Sequence, residues 1–220
     1  MQTFPESHDA AGVLLVVTVI ASPLLEGLVT AVERAGSAQP ARRARAIGGA
    51  FLETTILRTG RARESDRGTK WILVGSVLAA IFLGWWAATA FPGADMPGSG
   101  WATFAIGLGL IWCGVALRVW SIATLGRFFR RIVVVQEGHR VVSGGPYRVV
   151  RHPAYLGNLL ATAGLGLVLG NWVSLAILVV IPALGHLPRI LVEERELAQG
   201  LGEQYTSYAA GRKRLVPGVW

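Results

Sequence analysis

The residues best suited to chemistry lie in two short polar stretches that border long apolar runs. The first is GGPYRVVRHPAYLGN, residues 144–158, which holds two arginines, a histidine and two tyrosines. The second is RILVEERE, residues 189–196, which holds three glutamates. Arginine side chains bind carboxylates, whereas carboxylates accept hydrogen bonds from ammonium and hydroxyl groups. The two stretches together therefore suit a ligand that carries groups of both kinds.

The first stretch has the pattern of a turn followed by the start of a helix. Its opening Gly-Gly-Pro predicts the turn, and Pro153 fits the first turn of a helix, where its missing N–H does no harm. His152 then stands near the N-cap, and Tyr155 follows about one turn later. Exposed N–H groups at such a helix start favour an anion, and Arg148 and Arg151 reinforce that preference. By itself, this pattern suits a small ligand or a lipid headgroup equally.

The glutamates of the second stretch have two interpretations. Arg189 and Glu193 are four residues apart, so they can pair across one helical turn. Alternatively, Glu193 and Glu194 form the anionic half of a binding site. A ligand with a carboxylate, an ammonium, a ribose and a sulfonium would use both stretches, and S-adenosylmethionine is such a ligand.

The elements that must position these groups are membrane helices. The 220 residues are 52% hydrophobic and only 15% charged, with a mean hydropathy of +0.49, which does not describe a soluble core. Crossing a bilayer takes about 20 apolar residues. Five runs approach that length, and they predict an all-α, polytopic transmembrane bundle with spans at about 11–32, 71–91, 101–125, 153–169 and 172–187. Only Gly170 and Asn171 separate the last two, which predicts an antiparallel helical hairpin over 153–187.

The orientation of the bundle follows from its 21 basic residues. Apart from Arg118, they lie in three groups: nine in residues 34–70, six in 127–151 and five in 189–214. The first ten residues, the loop 92–100 and the turn at 170–171 contain none. This alternation predicts an N-terminus outside and a C-terminus in the cytoplasm of a bacterial-type cytoplasmic membrane. It also makes 34–70 a basic cytoplasmic loop.

Several partner classes lack support in the sequence. Cys113 is the single cysteine, so no internal disulfide or cysteine-based metal site is predicted, and no other metal motif occurs. The net charge of +8 has no nucleic-acid-binding motif beside it, and anionic lipid headgroups explain it better. Glu26 and Arg118 stand inside predicted spans, where they can pair, reach the interface or line a substrate pocket. No pattern predicts the oligomeric state.

The motifs in order resemble those of the isoprenylcysteine carboxyl methyltransferase and phospholipid methyltransferase group of integral-membrane enzymes. The matching motifs are LGRFF (125–129), GH (138–139), GPYRVVRHPAYLG (145–157), RILVEE (189–194), and LGEQYTSY (201–208) followed by Pro217. They cover about residues 124–217. The resemblance divides the chain into an N-terminal membrane region, 1–123, with no family motif, and a methyltransferase core, 124–220.

The resemblance implies a pocket for S-adenosylmethionine at the cytoplasmic ends of the last three helices, closed by the C-terminal segment. The positions implied to bind the cofactor are Gly126, Phe129, Tyr147, His152, Pro153, Tyr155, Gly157, Glu193 and Glu194. Arg151 matches a family arginine near the reacting centre, and His139 matches a histidine of the preceding loop. Arg148 is a further candidate for orienting the acceptor. Tyr205 and Tyr208 are expected to support the closing segment.

The predicted reaction moves a methyl group from S-adenosylmethionine to a lipophilic acceptor, with S-adenosylhomocysteine as product. A carboxylate is the favoured acceptor, because it is already nucleophilic at neutral pH. An amine or a thiol would need a base. One alternative is N- or S-methylation of a lipid; a second is an NADPH-dependent reductase of the sterol type, with similar residues around HPAYLG; and a third is a transporter or scaffold with a degenerate site.

Overall fold

The computed structural model describes residues 68–98, 100–126, 141–218 and 220. These residues form five α-helices and two short 3-10 turns, with isolated bridges and no strands. The helices are α1 (Thr69–Ala90), α2 (Trp101–Leu125), α3 (Pro153–Val168), α4 (Trp172–Leu201) and α5 (Glu203–Ala210), and the turns are Pro92–Ala94 and Gly145–Arg148. The all-α prediction is confirmed for this part of the chain. The predicted span 11–32 and residues 34–67 of the basic loop lie outside the described residues.

Three of the described helices, α1, α2 and α4, are long and apolar enough to cross a membrane, whereas α3 is shorter, with 16 residues. The bounds of α1 and α2 agree with the predicted spans 71–91 and 101–125 to within two residues. The bundle exposes tryptophans near both ends, among them Trp71 and Trp120 towards one end and Trp85, Trp101 and Trp172 towards the other. Two such belts are typical of a helix bundle in lipid.

Helix α4 is longer than the sequence predicted. The predicted hairpin ended at residue 187, but α4 continues without a break to Leu201 and contains both Pro182 and Pro188. The apolar run ends near Leu187 because hydropathy reports contact with lipid, whereas the following residues are mostly good helix formers. Glu193 and Glu194 therefore stand on α4 itself and do not follow it. The hairpin connection at Gly170 and Asn171 is as predicted.

The helices pack in the order α1, α4, α3, α2, and glycines allow α2 and α3 to approach closely. A Cβ at Gly107 would lie 2.6 Å from the carbonyl oxygen of Gly164, and one at Gly157 would lie 2.6 Å from that of Gly114. Because Cβ atoms do not come so close to backbone oxygens, these two antiparallel helices meet backbone to backbone. The direct contact fixes the start of α3 against the later part of α2.

At one end of the bundle, Asn171 ties two connections together. It is fully buried, and its Nδ2 donates to the carbonyl oxygen of Phe91 at 2.9 Å and to Oδ1 of Asp95 at 3.0 Å. Its Oδ1 caps α4 by accepting from the N–H groups of Val173 and Ser174. One side chain thus holds the α1–α2 connection against the start of α4.

At the other end, the C-terminal segment runs beside the residues that precede α3. The N–H of Arg151 donates to the carbonyl oxygen of Lys213, and the N–H of His152 donates to that of Arg214, both at 2.9 Å. These backbone hydrogen bonds bring the segment against the start of α3, where the polar stretch 144–158 lies.

Candidate functional site

The carboxylate of Glu194 is the centre of a charged cluster. Its Oε1 lies 2.9 Å from Nη1 of Arg151 and 3.2 Å from Nε2 of His152, and its Oε2 accepts from Nε of Arg214 at 2.9 Å. Only 11% of the Glu194 side chain is exposed. Three donors from two other parts of the chain thus converge on a carboxylate that α4 presents.

Glu193 belongs to a second set of contacts on the same helix face. The hydroxyl of Tyr155 donates to its Oε2 at 2.7 Å, and Nε of Arg189 donates to that hydroxyl at 3.0 Å. A tyrosine of α3 thus connects Arg189 and Glu193, whose spacing also allows them to pair across one helical turn. The Glu193 side chain is 30% exposed, so this carboxylate is the more accessible of the two.

Aromatic rings continue the cluster towards the interior of the bundle. The rings of His152 and Tyr155 stack with centroids 5.5 Å apart, and the ring of His186 meets Tyr155 edge-on at 5.2 Å. His186 is fully buried; its Nδ1 lies 2.6 Å from the carbonyl oxygen of Pro182, and its Nε2 lies 3.4 Å from Nδ2 of Asn158. Since a carbonyl only accepts and an amide nitrogen only donates, Nδ1 carries the proton and Nε2 accepts.

The C-terminal segment forms one wall of the cluster. Besides contacting Glu194, the guanidinium of Arg214 lies over the ring of Trp220, 5.1 Å from its centroid. Tyr208 of α5 donates its hydroxyl to the carbonyl oxygen of Tyr147 at 2.9 Å. The guanidinium of Arg212 lies 4.5 Å from the centroid of the Tyr208 ring. These contacts agree with the supporting role expected for Tyr208.

Two buried donors where this wall meets the start of α3 have no hydrogen-bond partner among the described residues: Nε of Arg151 and the hydroxyl of Tyr205. Burial raises the pKa of Tyr205 above its ordinary range, and the Glu194 carboxylate adds to this, whereas the neighbouring Arg151 guanidinium opposes it. Burial also raises the pKa of Tyr208 to about 12. Both phenols are therefore protonated donors at neutral pH.

The structure brings five of the predicted site residues into one set of contacts. Arg151, His152, Tyr155, Glu193 and Glu194 share the contacts described above. Tyr147 is buried in the turn before α3, and Pro153 is the first residue of that helix. Gly126 ends α2 with a φ of 52°, a conformation that favours glycine.

Other predicted residues have different surroundings. Gly157 faces Gly114 in the contact between α2 and α3. Arg148 is exposed, and its carbonyl oxygen accepts from Arg212. Nη1 of Arg118 donates to the carbonyl oxygen of Ala154 at 3.4 Å, which brings this charge of α2 to the first turn of α3. The remaining predicted residues, Glu26, Phe129 and His139, lie outside the described residues.

Sequence reasoning missed two members of the cluster, Arg214 and His186, and it assigned no binding role to Asn158, the last residue of the stretch 144–158. Arg214 was one basic residue among many, and nothing in its neighbours pointed to a carboxylate 20 residues earlier. His186 is a lone polar residue in an apolar run, and its partner Asn158 lies 28 residues earlier, at the end of the stretch 144–158. A polar residue in such a run does signal a partner on another helix, but it does not identify the partner.

Comparisons with known proteins agree with the motifs. Residues 106–199 match the model of the isoprenylcysteine carboxyl methyltransferase (ICMT) family. Protein-S-isoprenylcysteine O-methyltransferase B of Arabidopsis thaliana is 35% identical over 121 residues, which are 54% of this chain and 60% of that protein. The chain thus spans less than two thirds of this relative. Steroid 5-alpha-reductase DET2 of Solanum lycopersicum is 28% identical over 117 residues, 53% of this chain and 42% of that protein.

The fold has a counterpart among solved structures. The structure of a eukaryotic intramembrane Ras methyltransferase, isoprenylcysteine carboxyl methyltransferase, matches 99% of this chain and 88% of that chain, with a TM-score of 0.57 and 16% identity. At this identity, the match supports the fold and not the activity. The resemblance predicted from the motifs is confirmed, and it extends over residues 106–199, where the chain is similar to the isoprenylcysteine carboxyl methyltransferase family.

Proposed function

We propose that the chain is an integral-membrane methyltransferase that moves a methyl group from S-adenosylmethionine to a lipophilic acceptor, with a carboxylate as the favoured acceptor group. The observation that carries this proposal is the cluster in which Arg151, His152 and Tyr155 of the HPAYLG region meet Glu193 and Glu194. These five residues come from two of the motifs that carry the family resemblance. The match of residues 106–199 to the family supports the same activity.

The residues present fit S-adenosylmethionine. Glu193 is partly exposed and offers a carboxylate to hydroxyl or ammonium groups. Nε of Arg151 and the hydroxyl of Tyr205 are buried donors without acceptors among the described residues, as expected beside a polar ligand. His152, Tyr155, Glu193 and Glu194 would hold the cofactor, which supplies a methyl group already activated by its sulfonium.

The chain's own residues then have positioning and electrostatic roles. Arg151 and Arg214 keep the Glu194 carboxylate ionised and oriented, and Arg189 orients Glu193 through Tyr155. A carboxylate acceptor needs no general base, and the positive charges of Arg118 and Arg151 near the start of α3 would orient it. An amine or thiol acceptor would need a base. His152, a histidine of the cluster, is hydrogen-bonded to Glu194.

The location follows from the apolar helices and the basic groups. We propose that the cluster faces the cytoplasm of a bacterial-type membrane, because it lies at the same end of the bundle as the five basic residues within 189–214. A water-soluble methyl donor would reach it from that side. The acceptor would arrive from the lipid with its polar end at the interface, among anionic headgroups attracted by the arginines.

A single titration separates this function from the main alternative. The similarity to a steroid 5-alpha-reductase keeps an NADPH-dependent activity open. We expect S-adenosylhomocysteine to raise the melting temperature of the purified protein in detergent in a concentration-dependent manner, and NADPH to leave it unchanged. Stabilisation by NADPH alone would contradict the methyltransferase proposal.

Acceptor chemistry needs a second experiment. Membranes that contain the protein are incubated with methyl-labelled S-adenosylmethionine, and the lipid-soluble products are treated with mild base. A methyl ester releases its label as methanol, whereas N- and S-methyl groups stay attached. We expect base-labile label, and we expect it to be absent with Glu194→Ala but present with Glu196→Ala, a matched substitution two residues away on α4.

A further inference from the structure

The unpartnered donors where the C-terminal wall meets the start of α3 point to a specific ligand group. The Tyr205 side chain is 94% buried, since its exposed fraction is 6%, and its hydroxyl has no hydrogen-bond partner among the described residues. Nε of Arg151 is buried and is likewise without a partner there. The guanidinium lies close enough to the phenol oxygen to lower its pKa as a hydrogen-bond donor does, but the geometry between the two groups falls short of a full hydrogen bond.

Both groups are donors, and both keep their protons at neutral pH. An arginine does not deprotonate in proteins, and burial raises the pKa of the Tyr205 hydroxyl above its ordinary range. Leaving one buried donor without an acceptor is unfavourable, and leaving two side by side is rare in folded proteins. The phenol oxygen could accept from Nε of Arg151, but the phenol proton would still lack an acceptor, so a group that satisfies the pair must accept hydrogen bonds.

The charges around these donors favour an acceptor that is negative. The other edge of the Arg151 guanidinium, at Nη1, contacts Glu194, so its Nε remains for a second partner. Glu194 also receives Arg214 and His152, and its single negative charge faces two arginines. A carboxylate with two oxygens matches two neighbouring donors of which one is a guanidinium.

We propose that Nε of Arg151 and the hydroxyl of Tyr205 form a carboxylate-binding subsite of the pocket. This inference rests on the proposed function, and it gives Tyr205 a ligand contact where the sequence predicted only support for the closing segment. The carboxylate has two possible sources, the amino-acid end of the methyl donor and the acceptor. In both cases Tyr205 contributes to binding and leaves the chemical step to other groups.

Tyr205→Phe tests the subsite with the smallest possible change, because it removes the hydroxyl and keeps the ring. For the donor source, the dissociation constants of S-adenosylhomocysteine and of its decarboxylated analogue are measured by calorimetry in detergent. For the acceptor source, the same is done with N-acetyl-S-farnesylcysteine and its methyl ester. We expect the variant to lose about tenfold in affinity for one of the two carboxylates. Its affinity for the partner compound that lacks that carboxylate should not change.

Each pair of compounds gives a ratio, the affinity for the compound with the carboxylate divided by the affinity for the compound without it. The pair whose ratio falls in Tyr205→Phe identifies the source of the carboxylate. A second reading comes from the ligand-free protein: Tyr205→Phe should be as stable as the wild type or more stable, because it removes a buried hydroxyl without a partner. Arg151→Lys, which keeps a positive charge but lacks Nε, should reduce the same ratio. The matched control is Tyr208→Phe, whose hydroxyl bonds to a backbone carbonyl; it should lower stability and leave both ratios unchanged.

Two failures remain distinguishable. A wild-type protein that does not bind S-adenosylhomocysteine contradicts the methyltransferase proposal itself. Binding of S-adenosylhomocysteine with both affinity ratios equal in the wild type and in Tyr205→Phe contradicts the subsite and leaves the proposed function intact.

Discussion

The Glu194 carboxylate holds three parts of the candidate site together. One carboxylate of α4 accepts hydrogen bonds from the residues before α3 and from the C-terminal segment, through Arg151, His152 and Arg214. Each of these partners is a cation or a histidine, so the carboxylate also balances their charge. Removing that charge leaves partly buried cations unbalanced, which costs more than the loss of one hydrogen bond.

We therefore expect Glu194→Gln to lower the free energy of unfolding by roughly 1–3 kcal/mol. Glutamine preserves the size of the side chain, so the effect reports charge and not packing. Unfolding in mild detergent with increasing denaturant measures it, with Glu196→Gln as the control. Glu196 makes no ion pair with the residues that the structure describes. Equal effects of the two substitutions would show that the cluster adds nothing to stability.

The contribution of the Arg214–Glu194 contact to stability can be separated from the contributions of Arg151 and His152. In a double-mutant cycle with Glu194→Gln and Arg214→Gln, the double variant should lose less stability than the sum of the single variants, because each single substitution already breaks the same pair. If the two effects simply added, the contact between Arg214 of the C-terminal segment and Glu194 of α4 would contribute nothing to stability.

At the scale of the helices, the position of α3 depends on its backbone contact with α2. Gly107 meets Gly164 so closely that a methyl group at Gly107 would lie 2.6 Å from a carbonyl oxygen and 2.8 Å from the N–H nitrogen of Val168. Because backbone atoms cannot give way as a side chain does, the helices must separate. The start of α3, with His152 and Tyr155, would then shift relative to α4.

Gly107→Ala should consequently lower both the melting temperature and the affinity for S-adenosylhomocysteine, although Gly107 is far along α2 from the charged cluster. The chain offers a matched control two residues away. A Cβ at Gly109 has no atom within 4 Å, so Gly109→Ala should keep or slightly raise stability through its higher helix propensity. If Gly107→Ala behaved like Gly109→Ala in both measurements, the close contact between α2 and α3 would not exist in the membrane.

The helices also show which features a single sequence can predict. The apolar runs predicted α1 and α2 to within two residues, because lipid contact and helix length coincide there. They placed the end of α4 near residue 187 instead of Leu201, because the helix leaves the apolar region and continues with polar helix formers. The residue types of the site were predictable from the motifs. Their partners were not, since the Arg214–Glu194 and Asn158–His186 contacts depend on helix packing that local patterns do not encode.

For the molecule as a whole, the cluster and the basic residues of the C-terminal segment lie at one end of the bundle, and Asn171 with the loop 92–98 lies at the other. From the positive-inside rule, we propose that the first end faces the cytoplasm. This orientation matters for function, because it decides from which compartment a charged methyl donor can enter. It predicts that a water-soluble reagent reaches the two ends from opposite sides of the membrane.

Single cysteines test the orientation directly, because Cys113 is the only cysteine to remove first. Pro97 and Ser207 are exposed at the two ends of the described bundle. With Cys113→Ala as background, a membrane-impermeant maleimide should label Pro97→Cys on intact cells, or on spheroplasts if an outer membrane is present. It should label Ser207→Cys only after the membrane is opened. The reverse pattern would place the charged cluster outside, where the cell supplies no S-adenosylmethionine, and would contradict both the orientation and the proposed route of the cofactor. Labelling of both positions on intact cells would mean that the bundle does not span the membrane, since a span separates its two ends by the full bilayer thickness of about 30 Å.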